Sequence, residues 1–249
     1  MSDAVILERE SGLLSLRLNR PDKKNALTRE MYSQLAIALQ QADADPTVRV
    51  VLISGSSECF TAGNDIADFL EDPPSGPQSP VFVFMRSVLA CRKPLVAAVA
   101  GSAVGIGTTL LLHCDLVYIS ADARLRMPFV NLGLCPEFGS SLILPRLLGQ
   151  ARAAQLLLLG EGFSGEQAGA WGLASEVLAN GPAALARARE MAGRLAELTP
   201  TAVQISKALM KAPDREQLLQ VIAQEGELFV QRLHSPEALA ALSGFLSKR

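Results

Sequence analysis

Hydrophobic positions recur in two rhythms along the first half of the chain. Leu14, Leu16 and Leu18 alternate with Ser15 and Arg17, the period-two pattern of a strand with one buried face. Beyond Thr28, a residue suited to capping a helix, Met31, Leu35, Leu39 and Ala42 return every three or four positions on one helical stripe. The short apolar run from Val48 to Ser54 has the character of a central strand, and Leu95 to Ala100 and Leu116 to Ser120 repeat it. Strands separated by helices predict a layered α/β core with a largely parallel sheet. Two segments break that rhythm. Residues 71–80 hold four prolines and predict an exposed loop leading into a helix from Val81 to Cys91. The C-terminal third carries almost no strand pattern. Ser164 to Gln167 has the spacing of a capping box, Ser235-Pro236 puts proline at a first helical position, and helices are predicted near 182–198, 200–211, 214–233 and 236–246. No internal repeat or low-complexity tract appears, so this helical tail trims the core or forms an oligomer surface.

Composition narrows the function classes. The chain has 249 residues, of which 49% are hydrophobic and 19% charged, enough for one sizeable core and low in charge for a monomer. Part of the surface is therefore expected to be hidden in a homo-oligomer. A net charge of −2 argues against nucleic acid as a partner, because phosphate backbones are met by clustered Lys and Arg. Four scattered cysteines form no CxxC pair, and two histidines leave few metal ligands. The start, Met1 to Ala4, lacks the basic and apolar regions of a secretory signal, so a reducing, cytoplasmic setting is expected. The end, Ser247-Lys248-Arg249, begins like a peroxisomal address but has Arg where Leu is required. Residues 94–112 are uncharged and nearly long enough to span a bilayer. Gly101, Gly105, Gly107 and the polar Ser102, Thr108 and Thr109 interrupt them, so a buried strand, a glycine turn and a buried helix are expected, and no membrane partner.

The candidate chemistry sits in two glycine-bearing turns, each after an apolar strand: Phe60-Thr-Ala-Gly-Asn-Asp-Ile66, and Ala103-Val-Gly-Ile-Gly-Thr-Thr109, which opens a helix. Unpaired N–H groups where a turn enters a helix attract negative charge. Brought together, two such turns can offer two donors to one oxyanion. Glycine after a strand also serves simple turn geometry, and neither a P-loop nor a dinucleotide fingerprint is complete here. A single acid, Glu137, lies in the otherwise uncharged stretch from Met127 to Pro145. Desolvation there would raise its proton affinity and suit it to proton transfer near neutrality. The alternative is a first-turn helix residue that favours the helix dipole. Asp65 is read as a cap of the helix that follows it, and His113 as a core histidine. Phe82, Phe84, Met85 and Leu89 either wall a pocket or pack a helix.

The segments FTAGNDIADF, AVAGSAVGIGTTLLLHCDLVY and MPFVNLGLCPEFGSS together resemble the crotonase (enoyl-CoA hydratase/isomerase) superfamily, and within it the peroxisomal-type Δ3,Δ2-enoyl-CoA isomerases. The resemblance runs from LNRPDKKNALT, through FSGEQAGAWGLASEV and PTAVQISKALMK, to the final GFLSKR. It implies an α/β fold, a spiral of β-β-α units over residues 1–198, with a C-terminal helical trimerisation region over 199–249, and a trimer or a hexamer built from two. It implies an acyl-CoA thioester substrate and no cofactor, the CoA being part of the substrate. On the family pattern the oxyanion hole falls on the N–H groups of Asn64 and Ile106. Lys24, Ala26, Ala62, Asp65 and Gly105 fall where substrate is bound. Two glutamates that activate water in hydratases are replaced by Thr109 and Phe129, whereas the isomerase base falls on Glu137. The implied activity is a shift of the double bond that converts 3-enoyl-CoA to 2-enoyl-CoA in fatty acid oxidation. The alternatives are a hydratase or another crotonase-type acyl-CoA enzyme, or a catalytically silent acyl-CoA-binding protein.

Overall fold

The computed structural model describes residues 4–247. Lys248 and Arg249 of the address-like ending, and the first three residues of the start read for a secretory signal, lie outside the described residues. The chain opens with a hairpin, β1 (Val5–Glu10) and β2 (Leu13–Leu18), closed by Ser11 and Gly12 with positive φ. Helix α1 (Arg29–Ala44) follows, its first turn capped by the Thr28 hydroxyl, which accepts from the Met31 N–H at 3.3 Å. The strands then come in consecutive pairs: β3 (Val50–Ser54) with β4 (Cys59–Thr61), β5 (Leu95–Val99) with β6 (Ser102–Val104), β7 (Leu116–Ser120) with β8 (Arg124–Arg126). The first member of each pair enters one sheet and the second enters another. The six-stranded sheet has the order β1-β2-β3-β5-β7-β10 and the four-stranded sheet β4-β6-β8-β9. Pairing is parallel except in β1–β2 and β8–β9. The path is a spiral that lays down one strand in each sheet per turn, as the family pattern implies.

Between the first two pairs lie α2 (Ile66–Glu71) and α3 (Pro80–Ala90), joined by the proline-rich loop. Residues 94–112 are divided among β5, β6, the short helix α4 (Ile106–Thr109) and a 3-10 turn, Leu110–His113. No helix among the described residues is long and apolar enough to cross a membrane. After β8 come α5 (Ser140–Leu148), α6 (Gln150–Leu158), β9 (Gly162–Ser164), α7 (Gly165–Ala170) and β10 (Glu176–Leu178). The expected capping box forms at Ser164 and Gln167. Two strands, β9 and β10, lie in the region whose pattern predicts helices. Three residues are too few for a period-two signal to emerge. The chain ends in α8 (Gly181–Glu197), α9 (Pro200–Lys211), α10 (Arg215–Leu233) and α11 (Pro236–Ser247), within a residue or two of the expected spans.

Strands β3 and β5 are buried along their whole length because both faces of the large sheet are covered. Val51, Ile53, Leu95, Ala97 and Val99 face the main core with α1 and α3. Val50, Leu52, Val96 and Ala98 face α8, whose Ala188 and Ala192 allow a close approach. The rigid layer so formed fixes the ends of β4 and β6, where the candidate turns lie.

Candidate active site

Parallel pairing of β4 with β6, Thr61 opposite Ala103, sets the two glycine turns side by side. Gly63 has φ +85°, and a Cβ there would lie 2.7 Å from the Val104 carbonyl oxygen. A Cβ on Gly107 would lie 2.5 Å from Thr61 Cγ2. The turns thus touch through glycines whose replacement would displace the Val104 backbone at one and the Thr61 side chain at the other. A third segment lies beside the first turn: Ala62 N–H donates to the Lys24 carbonyl at 2.9 Å, Leu27 N–H to Gly63 at 2.8 Å, and Asp65 N–H to Leu27 at 2.9 Å. That alternation engages the N–H groups of Ala62 and Asp65 and passes over Asn64. In the second turn Gly105 N–H donates to Arg126 at 2.8 Å, and Ile106 follows as the first residue of α4. Among the described residues neither the Asn64 N–H nor the Ile106 N–H has an acceptor. Two free donors on adjacent turns are what an anionic oxygen requires.

Lys24, exposed with φ +50°, and Ala26, buried, belong to the third segment and so lie beside Ala62. The Asp65 carboxylate accepts from the Ala67 and Asp68 N–H groups at 3.1 and 3.4 Å and pairs with Arg20 at 2.7 Å, so it caps α2 as the capping alternative expects. Phe129 approaches the second turn, its Cε1 lying 4.0 Å from a Cβ built on Gly105. Thr109 is buried in α4 with a hydroxyl that has no partner.

Glu137 is 3% exposed and its Oε1 has no hydrogen-bond partner. It precedes α5 by three residues and does not lie in its first turn. Phe138 and Gly139, both with positive φ, turn the chain between them. Burial, reinforced by the negative charge of Glu225, pushes the Glu137 carboxyl up to about 8. A helix-dipole role would have lowered it. His113 is the expected core histidine: buried, stacked on Phe138 at 3.9 Å, with Nε2 donating to the Phe138 carbonyl at 2.7 Å. Burial lowers it to about 4, so it is neutral at pH 7. Cys135, pushed up to about 11 by burial and the charge of Glu225, is an inert thiol beside the acid.

A cleft of about 550 Å³ runs between α3 and α10, with Phe82, Met85 and Leu89 facing Leu219, Ile222 and Val230. Ile222 also packs against Gly139, so one end of the cleft abuts the turn that carries Glu137. Phe84 turns the other way and packs on Tyr32, with ring centroids 5.5 Å apart. The open alternatives for these four residues are therefore resolved as three in the cleft and one in the core.

A family model of enoyl-CoA hydratase/isomerase matches residues 8–249. The chain belongs to the enoyl-CoA hydratase/isomerase family. It is 34% identical to human enoyl-CoA delta isomerase 2 over 99% of its own length, and it spans 64% of the length of that relative. It is 32% identical to 2,3-dehydroadipyl-CoA hydratase of Escherichia coli K12, with 98% of this chain and 96% of that one covered. A solved structure of Pseudomonas aeruginosa OdaA is 63% identical, covers 98% of this chain and 99% of that chain, and superposes with a TM-score of 0.97. Isomerase-named and hydratase-named relatives thus stand at similar distances.

Three site residues of this family member escape sequence reasoning. Asn25, buried with φ +55°, donates from Nδ2 to the Cys59 and Phe60 carbonyls at 2.9 and 3.2 Å and receives the Arg20 N–H at 2.8 Å. It ties the third segment to β4. The buried Tyr32 hydroxyl donates to the Asn64 side-chain oxygen and lies close enough to Glu137 to feel its charge. Glu225 of α10 reaches the turn after Glu137. Only Glu225 left a trace in the sequence: it is an acid on the stripe otherwise formed by Leu218, Ile222 and Phe229.

Proposed function

We propose that the chain isomerises 3-enoyl-CoA to 2-enoyl-CoA, with Glu137 as the only acid–base group. The observation that carries this reading is the buried Glu137 carboxylate, with one oxygen lacking a partner, linked through Tyr32 to the turn whose Asn64 N–H is free. The substrate thioester oxygen takes the Asn64 and Ile106 N–H groups. Lys24, Ala26, Ala62 and Gly105 line the approach of the CoA portion, and the α3–α10 cleft takes the acyl chain. Glu137 removes a proton from carbon 2, and the electron pair moves onto the thioester oxygen to give a dienolate. The two N–H donors are strongest at that stage, each worth about 3–4 kcal/mol in the barrier. The protonated Glu137 then delivers the same proton to carbon 4, and the double bond comes to rest between carbons 2 and 3. No water is consumed. A carboxyl held near 8 takes and returns a proton without a large mismatch at either step.

Hydration is the rival reading, favoured by the hydratase-named relative. It needs a group to orient and deprotonate water, yet Thr109 does not take a proton near neutrality and Phe129 offers no polar atom. Paired spectrophotometric assays on 3-enoyl-CoA and 2-enoyl-CoA separate the two. Hydration is expected to be at least about a thousandfold slower, roughly 4 kcal/mol in barrier height. Hydration of 2-enoyl-CoA at a rate comparable with isomerisation would overturn the single-base mechanism. The exposed Ile205, Leu209 and Met210 of α9 further support a homo-oligomer, a trimer or hexamer in this reading.

A further inference from the structure

We propose that Glu225 is a positioning residue for the reaction at Glu137: from α10 it clamps the turn that carries the base and holds a second negative charge beside it. The inference rests on the reading of Glu137 given above. The Glu225 carboxylate is buried, and three donors from the turn converge on it. Gly139 N–H donates at 2.5 Å, Ser141 N–H at 3.0 Å and Ser141 Oγ at 2.5 Å. The remaining residues of the turn are held from other sides. Ser140 donates to the Glu137 carbonyl from its N–H at 3.1 Å and from its hydroxyl at 2.7 Å, and His113 holds the Phe138 carbonyl. Phe138 has φ +56°, a conformation that a bulky L-residue keeps only under such restraint. Arg232, two turns further along α10, donates to the Gly133 carbonyl at 2.9 Å, so one helix pins the segment on both sides of Glu137.

The two acids differ in their surroundings. Burial raises both, but the three donors pull Glu225 back down, whereas Glu137 has no partner on Oε1. Glu225 is thereby the carboxyl that stays ionised, and its charge favours a proton on Glu137. The other titratable groups facing Glu137 are Tyr32 from α1 and Cys135 from its own segment, both held protonated by burial. His113 behind Phe138 is neutral, and Lys211 is turned to the His113 carbonyl. Glu225 is the only one of these groups that carries a charge next to Glu137.

Glu225→Gln keeps the size of the side chain and at least one acceptor while removing the charge. The acid limb of kcat/KM for 3-enoyl-CoA should move at least half a pH unit lower. The plateau of kcat should fall fivefold or more, with KM changed less than twofold. Carbon-13 NMR of glutamate-labelled protein, assigned with Glu137→Gln, should show the Glu137 carboxyl titrating at lower pH in the variant. That titration is read without substrate, so it separates failure of this inference from failure of the isomerase reading. If Glu225→Gln does not fold, Ser141→Ala removes one of the three donors, weakens the hold on the Glu225 charge, and should move the same titration in the same direction by a smaller amount. An acid limb and a carboxyl titration unchanged from wild type, in whichever of these variants folds, would overturn the proposal.

Discussion

Replacing Glu137 with glutamine should lower turnover sharply and at the same time make the protein more stable at alkaline pH. The wild-type carboxyl, ordinarily near 4.5, is held at about 8 in the folded chain by burial and then by the charge of Glu225. Between those values the folded protein keeps a proton that the unfolded chain has released. A raised carboxyl therefore contributes stability that is full below pH 4.5 and is lost as the pH climbs to about 8, at about 1.4 kcal/mol per pH unit. Glutamine mimics the protonated acid at every pH and escapes that loss. The variant should match wild type within about 1 kcal/mol near pH 5 and exceed it by about 4 kcal/mol near pH 8. For a chain of this length that is a rise in Tm of about 8 °C or more at the higher pH. Calorimetric unfolding of both proteins at matched ionic strength across pH 5–9 measures the difference directly. In the same preparation isomerase turnover should drop at least about a hundredfold, the low end for loss of a general base. Parallel Tm-against-pH curves for the two proteins would refute the idea that Glu137 is held protonated by its surroundings.

Gly63→Ala should lower both stability and turnover, because φ +85° strains an L-residue by about 1–2 kcal/mol and the new Cβ meets the Val104 carbonyl at 2.7 Å. Urea denaturation and kcat on the same sample check it. Asp115→Ala should destabilise by about 3–5 kcal/mol in the same urea assay, since it strips Lys207 at 2.8 Å and Lys211 at 3.0 Å of their shared carboxylate and the Leu95 N–H of its acceptor. Light scattering at micromolar concentration should return a multiple of the 26.5 kDa chain mass, and a monomer mass would remove the argument from the exposed face of α9.

The elements legible in the sequence were those long enough to show a period. Helix α1 announces itself by the Met31, Leu35, Leu39 stripe and its Thr28 cap, and β3 and β5 by unbroken apolar runs between turn residues. The short strands β4, β6, β8, β9 and β10, three residues each, carry no period at all. They exist because neighbouring backbone pairs with them, which is tertiary information. The same division runs through the site. Glu137 was legible as a lone acid among apolar residues, and the glycine turns by their composition. That Gly63 and Gly107 face backbone and side chain across a sheet was not, because the contact spans two turns of the spiral. Asn25 reads as an ordinary loop residue until its amide is seen bridging two carbonyls of β4. Glu225 bonds to residues 84 and 86 positions away, a separation at which no local pattern connects the two acids.

The two free N–H groups lie on turns that follow neighbouring paired strands of one small sheet, so the pairing of β4 with β6 is what brings them together. The chain between them makes a long excursion through α2, the proline-rich loop and α3, and that excursion shapes the cavities. The turns that carry the free N–H groups and the proline-rich loop that borders the cleft are thus separate stretches of sequence. Segment 72–79 takes no part in the pairing of β4 with β6 that sets the two turns side by side. In the proposed reaction, changes in that loop would alter the end of the cleft lined by Ser75, Gly76 and Pro77 while leaving the two donors of the dienolate step in place.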